Sequence, residues 1–440
     1  MVGMHLLTTL LSGLTAACAG FPDDRKGRTG NIAVADFGLS AFSLFFLQSG
    51  SFLSFQRILE DQGLRTNCET LFGIGRIPSD ASIRNHLDLA DPRLLEPCFE
   101  RLEQAMAEPA VAEAFTRLDG RTLIALDGTE YFCSQSISCL QCLTRKRSNG
   151  KTECYHVMLA ASIVAPGHSR VIPLMPEFVA KQDGAEKQDC ERNAAKRWIA
   201  RHGERLQPLR PVYLGDDLFA CQPLAKLLKD MGADFLFTAK ETSHKTLYAF
   251  ICGAELQRRT VIERKGKKRK TLSYRWIEKV PLRDGEDAMP VNWIGFTIAD
   301  DKGRTAYSTA FVTSLDVTQN TVAAIVEAAR ARWKIENGSF NVMKNHGCEL
   351  EHNFGHGKQY LAMTLATLNL LAFAWHTLLD LIEPPWKKAR EKIVIRTKFF
   401  QEALTLTRFA VFPSWHVFLE TLASGRIPPH CLVPPKQGST

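Results

Sequence analysis

Three acids stand apart because of what precedes them. Asp127 closes the apolar run Thr122-Leu123-Ile124-Ala125-Leu126, Asp216 closes Pro211-Val212-Tyr213-Leu214-Gly215, and Glu336 lies in a helical stretch four residues after Arg332. A carboxylate at the end of a buried strand is costly unless something pairs with it, and a divalent cation is one such partner. Two strand acids and a helix acid brought together could hold two divalent ions. One ion activates an attacking oxygen and the other stabilises a leaving oxygen, which is what phosphodiester chemistry needs. Mg2+ (or Mn2+) suits such a set, because it takes a few carboxylates and completes its shell with water and substrate phosphates. Taken singly, each acid reads as a strand-ending turn or a solvated side chain. Asp217, beside Asp216, competes for the same role.

A second constellation is made of sulfur. Cys139-Leu140-Gln141-Cys142 is a CxxC, with Cys133 before it and Cys154 and His156 after it. A structural Zn2+ could use Cys139, Cys142 and two of those three, while reduced metal-free thiols are the plain alternative. Twelve scattered cysteines in a chain of this length fit a reducing compartment. Glu349, Glu351, His352 and His356 follow the Glu336 helix without an HExxH motif, and are expected to border the acids rather than bind metal by themselves.

The cations form runs. Arg264 to Lys270 holds six in seven residues, including Arg264, Lys265, Lys267 and Lys268; Arg145, Lys146, Arg147 and Lys151 form a smaller loop. Such runs usually mark a solvated hairpin tip, and on a nucleic-acid enzyme they grip phosphates. The net charge is +8, which fits a polyanionic partner without requiring one. Trp276 and Trp293 lie nearby, for core packing first and base stacking second.

These residues need elements to position them. At 440 residues the chain calls for two or three domains, and 45% hydrophobic with 23% charged residues excludes a disordered chain. Residues 1 to about 115 read as helical, including Val34 to Leu59. Ser79 or Asp80 caps a helix that carries Arg84, Asn85 and His86 on its outer side, a helix-turn-helix pattern that plain packing also explains. From about 120 the pattern is strand (ending at Asp127), Tyr155–Val164, Arg170–Val179, helix Asp189–His202, strand to Asp216, helix Gln222–Met231, strand Asp234–Ala239. Arg258–Arg264, Thr271–Val280, Trp293–Ala299 and Ala306–Thr313 then read as two hairpins. A single long helix is expected from Thr321 to about Asn345, its core stripe being Val322, Ile325 or Val326, Ala329, Trp333, Phe340 and Met343. The apolar stretches Met1–Gly20, Ile32–Gln48 and Tyr360–Ile382 lack the flanks or carry the polar residues that argue against export or membrane spans.

In this order of elements the chain resembles DDE-type bacterial insertion-sequence transposases of the cut-and-paste group, which carry a β insertion in a ribonuclease H-like catalytic core. The matching residues are Leu126-Asp127-Gly128-Thr129, Leu214-Gly215-Asp216-Asp217-Leu218-Phe219 and Arg332-Trp333-Lys334-Ile335-Glu336-Asn337 running to Lys344. The family's aromatic three residues after its second Asp corresponds to Phe219 and selects Asp216 over Asp217. Its Tyr position, seven before Glu336, is Ala329 here. Its Lys, expected seven after, is displaced by Met343 to Lys344, about 80° round an α-helix from Glu336.

The resemblance implies an α/β fold in five parts. These are a helical, DNA-end-binding 1–118, the first part of a ribonuclease H-like core at 119–240, a β-rich insertion at 241–315, the glutamate helix and remaining core at 316–383, and a helical to irregular tail at 384–440. It implies a transposase that cuts double-stranded DNA at element ends and transfers the 3′-OH into target DNA. Asp127, Asp216 and Glu336 would hold two Mg2+ ions, with Arg332, Lys334, Lys344, the Arg264–Lys268 run and Arg84 on DNA. A homodimer on DNA and a location on the bacterial nucleoid follow. An inactive DNA-binding derivative, or a nuclease without strand transfer, are the alternatives.

Overall fold

The computed structural model describes residues 5–25, 31–51, 66–180, 189–266 and 268–433, without the side chains of His5, Lys265 and Lys268. The end of the expected Val34–Leu59 helix, Lys267 and Pro434-Pro435 lie outside the described residues. The fold is mixed α/β, with one large sheet and helical masses before and after it.

The strands are β1 (Thr116–Arg117), β2 (Arg121–Ser134), β3 (Leu143–Lys146), β4 (Thr152–Val164), β5 (Ile172–Pro173), β6 (Glu177–Val179), β7 (Pro211–Gly215), β8 (Asp234–Thr238), β9 (Gln257–Lys265), β10 (Lys268–Pro281), β11 (Pro290–Ala299) and β12 (Thr305–Thr313). Their order is β3-β4-β2-β7-β8-β12-β11-β10-β9, with β5 and β6 on β4 and β1 on β2. β2 and β4 are antiparallel, β2, β7 and β8 are parallel, and β12 returns antiparallel on β8. The expected Arg170–Val179 strand is two short pieces. The two hairpins of the β region do not form a layer of their own, because pairing of β12 with β8 makes them an extension of the same sheet.

Leu123, Ile124, Ala125 and Leu126 are all buried, so both faces of β2 are covered. That explains its unbroken apolar run, since a strand covered on both faces shows no alternation. On one face, α7 (Glu191–Leu206) buries Ala194, Ala195, Trp198 and Ile199, and Trp198 Nε1 donates to Met175 O at 2.6 Å.

The N-terminal helices include α1 (His5–Ala19), α2 (Val34–Phe46) and α4 (Asp80–Leu87), with a short α3 (Asn67–Phe72) between. Buried Asp36 accepts from Gly75 N and Arg76 N, both at 3.1 Å, which fixes the glycine turn before α4. Ser79 caps α4 and accepts from Ser82 N. His86, expected on the outside, is buried and stacked on Phe37 at 4.2 Å. The long helix Leu361–Ile382 is buried almost all round. Phe42 and Phe46 of α2 pack on its Trp375, and Phe46 also meets Trp386 and Trp415. This helix is apolar enough to cross a membrane by composition, and here it is the centre of the helical mass.

Its N-terminus is held by one carboxylate. Asp88, just after α4, accepts at Oδ1 from Gln359, Tyr360 and Leu361 N and at Oδ2 from Lys358 N, at 2.9 to 3.1 Å. Four orphan donors on one anion, next to the positive end of a helix dipole, is a strong capping arrangement. Gly357, at φ 68°, leaves the room that Asp88 needs. Asp88→Ala is therefore expected to destabilise the chain by ~1–2 kcal/mol, because the backbone N–H groups of residues 358–361 lose a shared acceptor. Urea denaturation of the two chains measures this; a difference under ~0.5 kcal/mol would contradict the capping role.

Candidate active site

Register brings the two aspartates together. β2 pairs in parallel with β7 through Leu123↔Val212 and Ala125↔Leu214. Two residues further along each chain stand Asp127 and Asp216, just past the last paired residues of neighbouring strands and close enough for their charges to interact. Asp127 does not end its strand, as the apolar run suggested. β2 continues to Ser134 because β4 goes on pairing with its other edge. What ends at Ala125 is the pairing with β7, and this opens the edge where Asp127 sits.

Asp216 and Asp217 are separated by their partners. Asp217 accepts from Lys240 N at 2.6 Å and from the Ser243 hydroxyl, and His244 Nε2 lies 3.4 Å from it. It is committed to the loop after β8. Asp216 accepts from Leu218 N at 2.9 Å and faces Asp127 and Glu191.

Glu336 arrives on a segment that is not one helix. After α10 (Val322–Arg330) the chain tightens to a 3-10 turn at Ala331–Trp333, widens to a π turn at Ile335–Phe340, and resumes as α11 (Asn341–Asn345). Arg332, on the tight turn, reaches Asp127 Oδ2 at 3.3 Å with one nitrogen and Glu336 Oε1 at 2.7 Å with the other. One guanidinium thus joins the strand acid to the helix acid. A π turn holds one more residue than an α turn. The extra residue turns Lys344 back toward the side of Glu336 and leaves Met343 fully buried. Lys344 Nζ donates to Glu130 O of β2 at 2.9 Å and pairs with Glu351 at 2.8 Å. The same change of pitch removes Trp333 from the expected core stripe: it is 51% exposed, whereas the rest of the stripe is buried.

The sequence reading missed Glu191. It is the first residue of α7, and its carboxylate lies over Gly128 where any side chain would collide with it. An acid that opens the first helix after the antiparallel strands is an ordinary helix start in sequence, and only the glycine following Asp127 hinted that something had to approach.

The electrostatics follow from this crowding. Burial pushes the Asp127 carboxyl up to about 7; Arg332 works against the rise, and Glu336, Asp216 and Glu191 add to it. Burial and Asp216 also push Glu191 up. Among the described residues, Arg332 is the cation paired with Asp127 and Glu336.

The remaining candidates are distributed. Lys334 donates to His168 O at 2.7 Å, and burial lowers its pKa. Arg84 pairs with Asp80 at 3.1 Å and stands against Gly355. Arg264 is exposed on β9, directly opposite Arg269 on β10. Arg145 and Arg147 are bound to Glu153, and Arg145 also to Glu130. Trp276 and Trp293 are buried in the sheet extension. Cys139 and Cys142 meet His156 and, unexpectedly, His356, all four ligand atoms lying within 4.8 Å of one another. Cys133 turns to Glu153 instead, and Cys154 is not in the group.

The shifted Asp127 has a stability consequence. Unfolded, its carboxyl ionises near 3.8; folded and metal-free, near 7. Between those values the folded chain holds the extra proton, so this group makes stability fall as pH rises through the window. Asp127→Asn removes the effect. In EDTA at about pH 8 the variant is expected to be more stable than wild type by on the order of 2 kcal/mol, with the gap closing toward pH 4. Denaturant melts at the two pH values check this, and a gap independent of pH would contradict it.

Residues 167–373 match the family model of the transposase DDE domain. The match contains Glu191, Asp216, Glu336, Lys344 and His356, and begins after Asp127. No curated protein matches the chain. With its matched region spanning Asp216 and Glu336, the chain is similar over residues 167–373 to the transposase DDE domain.

Proposed function

We propose that this chain is a transposase that cuts DNA at the ends of its element and joins the freed 3′-OH to target DNA, using Asp127, Asp216 and Glu336 as one acidic site. The observation that carries the reading is the meeting of Asp127 and Glu336 on Arg332, with Asp216 in register beside Asp127. A ribonuclease H-like core is supported by the sheet order β6-β4-β2-β7-β8, antiparallel then parallel, with the first acid on β2 and the second at the end of β7.

The acids fit divalent cations. The donors are hard oxygens, they crowd together, and burial with mutual repulsion drives Asp127 toward its neutral form. Asp127, Asp216 and Glu336 would hold two Mg2+ or Mn2+ ions, with Glu191 as a fourth acid beside Asp216. Such ions, when bound, lower the pKa of an attacking water and stabilise the leaving oxygen. Asp127 must give up its proton for this, so cation affinity rises with pH through about 7. Arg332 is the counter-charge of Asp127 and Glu336. With cations in place its planar fork is free to take an end phosphate, which a lysine would hold less well. Lys344 fixes the far end of the acid helix to β2 and presents a second cation at the same edge. Trp333, half exposed between Arg332 and Glu336, is the aromatic placed to stack on a base that has left the duplex.

DNA follows the family. The β9–β10 hairpin sets Arg264 against Arg269 and Arg258 against Arg275, like charges that repel across the strands unless an anion lies over them. Charges also keep an edge strand such as β9 from pairing with another chain, so backbone grip and edge protection are both served. Joining two ends calls for two chains on the DNA.

Cleavage of the element's own ends in Mg2+ or Mn2+ tests the site. Asp127→Asn, Asp216→Asn and Glu336→Gln should each lose at least ~10²-fold in rate, and Asp217→Asn should stay within a few-fold. Wild-type rates in any of the first three remove that residue from the site. Labelled ends should also appear joined to target DNA, which separates a transposase from a simple nuclease. In binding assays, Arg264→Ala with Arg269→Ala should lower the slope of log affinity against log salt by up to about 1.8, and an unchanged slope would take the hairpin off the DNA.

A further inference from the structure

Away from the acids, four side chains from three parts of the chain converge on one point. Cys139 and Cys142 come from the loop between β2 and β3, His156 from β4, and His356 from the segment after the Glu336 helix. Cys142, His156 and His356 are buried. The two sulfurs are 3.7 Å apart, too far for a disulfide bond. His156 Nε2 lies 3.3 Å from Cys139 Sγ and 3.4 Å from Cys142 Sγ, and His356 Nε2 lies 3.4 Å from Cys142 Sγ.

Hydrogen bonds alone do not account for this geometry. A neutral imidazole nitrogen offers one lone pair or one proton, yet His156 Nε2 faces two sulfurs at equal range, and Cys142 Sγ faces two such nitrogens. A shared central cation does account for it. Zinc binds thiolate at about 2.3 Å and imidazole at about 2.0–2.1 Å, so a tetrahedron on those bonds has sulfur–sulfur edges of roughly 3.8 Å and sulfur–nitrogen edges of roughly 3.5 Å. The observed separations fall within a few tenths of an ångström of both. Cys139 N donates to Cys142 Sγ at 3.4 Å, as to a thiolate. The ring of His356 turns Nε2 inward although its Nδ1 has no hydrogen-bond partner among the described residues, so its polar contacts all lie in the cluster. Tyr131 stacks on His156 and Phe132 lies against His356, closing the point from water.

We propose that Cys139, Cys142, His156 and His356 form a structural Zn2+ site that pins the segment following the catalytic helix to the sheet carrying Asp127. With no open ligand position it takes no part in the phosphodiester chemistry. It works with two protein contacts: Leu140 N donates to Lys358 O at 3.0 Å, and Asp88 caps the helix that starts at Leu361. Together they hold residues 346–360 against β2 and β4, and so hold the end of the helix from which Lys344 reaches Glu130.

The proposal is independent of the DNA reading and is tested on the purified full chain without DNA. Metal analysis should find one zinc per chain, and replacement by Co2+ should give the visible absorption and thiolate charge-transfer bands of a tetrahedral S2N2 site. Cys142→Ser and His356→Gln should lose the metal, whereas Asp127→Asn should keep it. Chelation of wild type should open new protease cleavage between 346 and 360. A folded wild-type chain that neither contains zinc nor takes up Zn2+ or Co2+ overturns the proposal, whatever the variants do. So does zinc retained in full by both His356→Gln and Cys142→Ser, or a Cys139–Cys142 disulfide in chain purified with zinc present.

Discussion

Parallel pairing of β2 with β7 carries Asp127 and Asp216 onto adjacent chains, and the burial of Asp127 among other acids is the constraint from which the site is built. Burial raises the Asp127 carboxyl, and the nearby Glu336, Asp216 and Glu191 add to the rise. The chain supplies one arginine, which bridges Asp127 to Glu336 and still leaves Asp127 protonated up to about neutrality. The proposed divalent cations would answer that burial of like charge.

The helix that carries Glu336 is adapted to the same constraint. A straight helix from Thr321 to Asn345 would bury Trp333 and turn Lys344 away from the acid. The tight turn at Ala331–Trp333 and the wide one at Ile335–Phe340 change the pitch twice within ten residues. Arg332 is thereby aimed at both acids, Trp333 is turned to solvent, and Lys344 is returned to β2 despite standing one residue later than the family spacing. Gly338 lies in the wide turn, packed against Val171 and Ser169 O, where a larger side chain would push the helix off the sheet.

Residues 346–360, which follow this helix, are anchored rather than free. They run between Lys344 and the cap of the buried helix Leu361–Ile382, and they meet the CxxC loop on the way. Phe45 of α2 packs on Phe354, and Asp88 binds the backbone at 358–361. The N-terminal helices, the acid helix and the C-terminal helices therefore share one core, built around Phe46, Trp375, Trp386 and Trp415.

By itself the sequence determined the strand–helix order and the hairpins of the sheet extension, and it singled out Asp127, Asp216 and Glu336 as candidates, because acids beside apolar runs are costly and therefore informative. It also marked the CxxC and the cap at Ser79, whose signals are local in the chain. Tertiary structure decided what depends on distant partners. It separated Asp216 from Asp217 through Lys240 and Ser243, added Glu191 beside Asp216, and broke the expected single helix at Trp333 and Glu336. It also chose His156 and His356, not Cys133 or Cys154, for the sulfur cluster, and buried His86. Those choices turn on register, helix pitch and the meeting of segments up to two hundred residues apart, and no window of neighbouring residues encodes them.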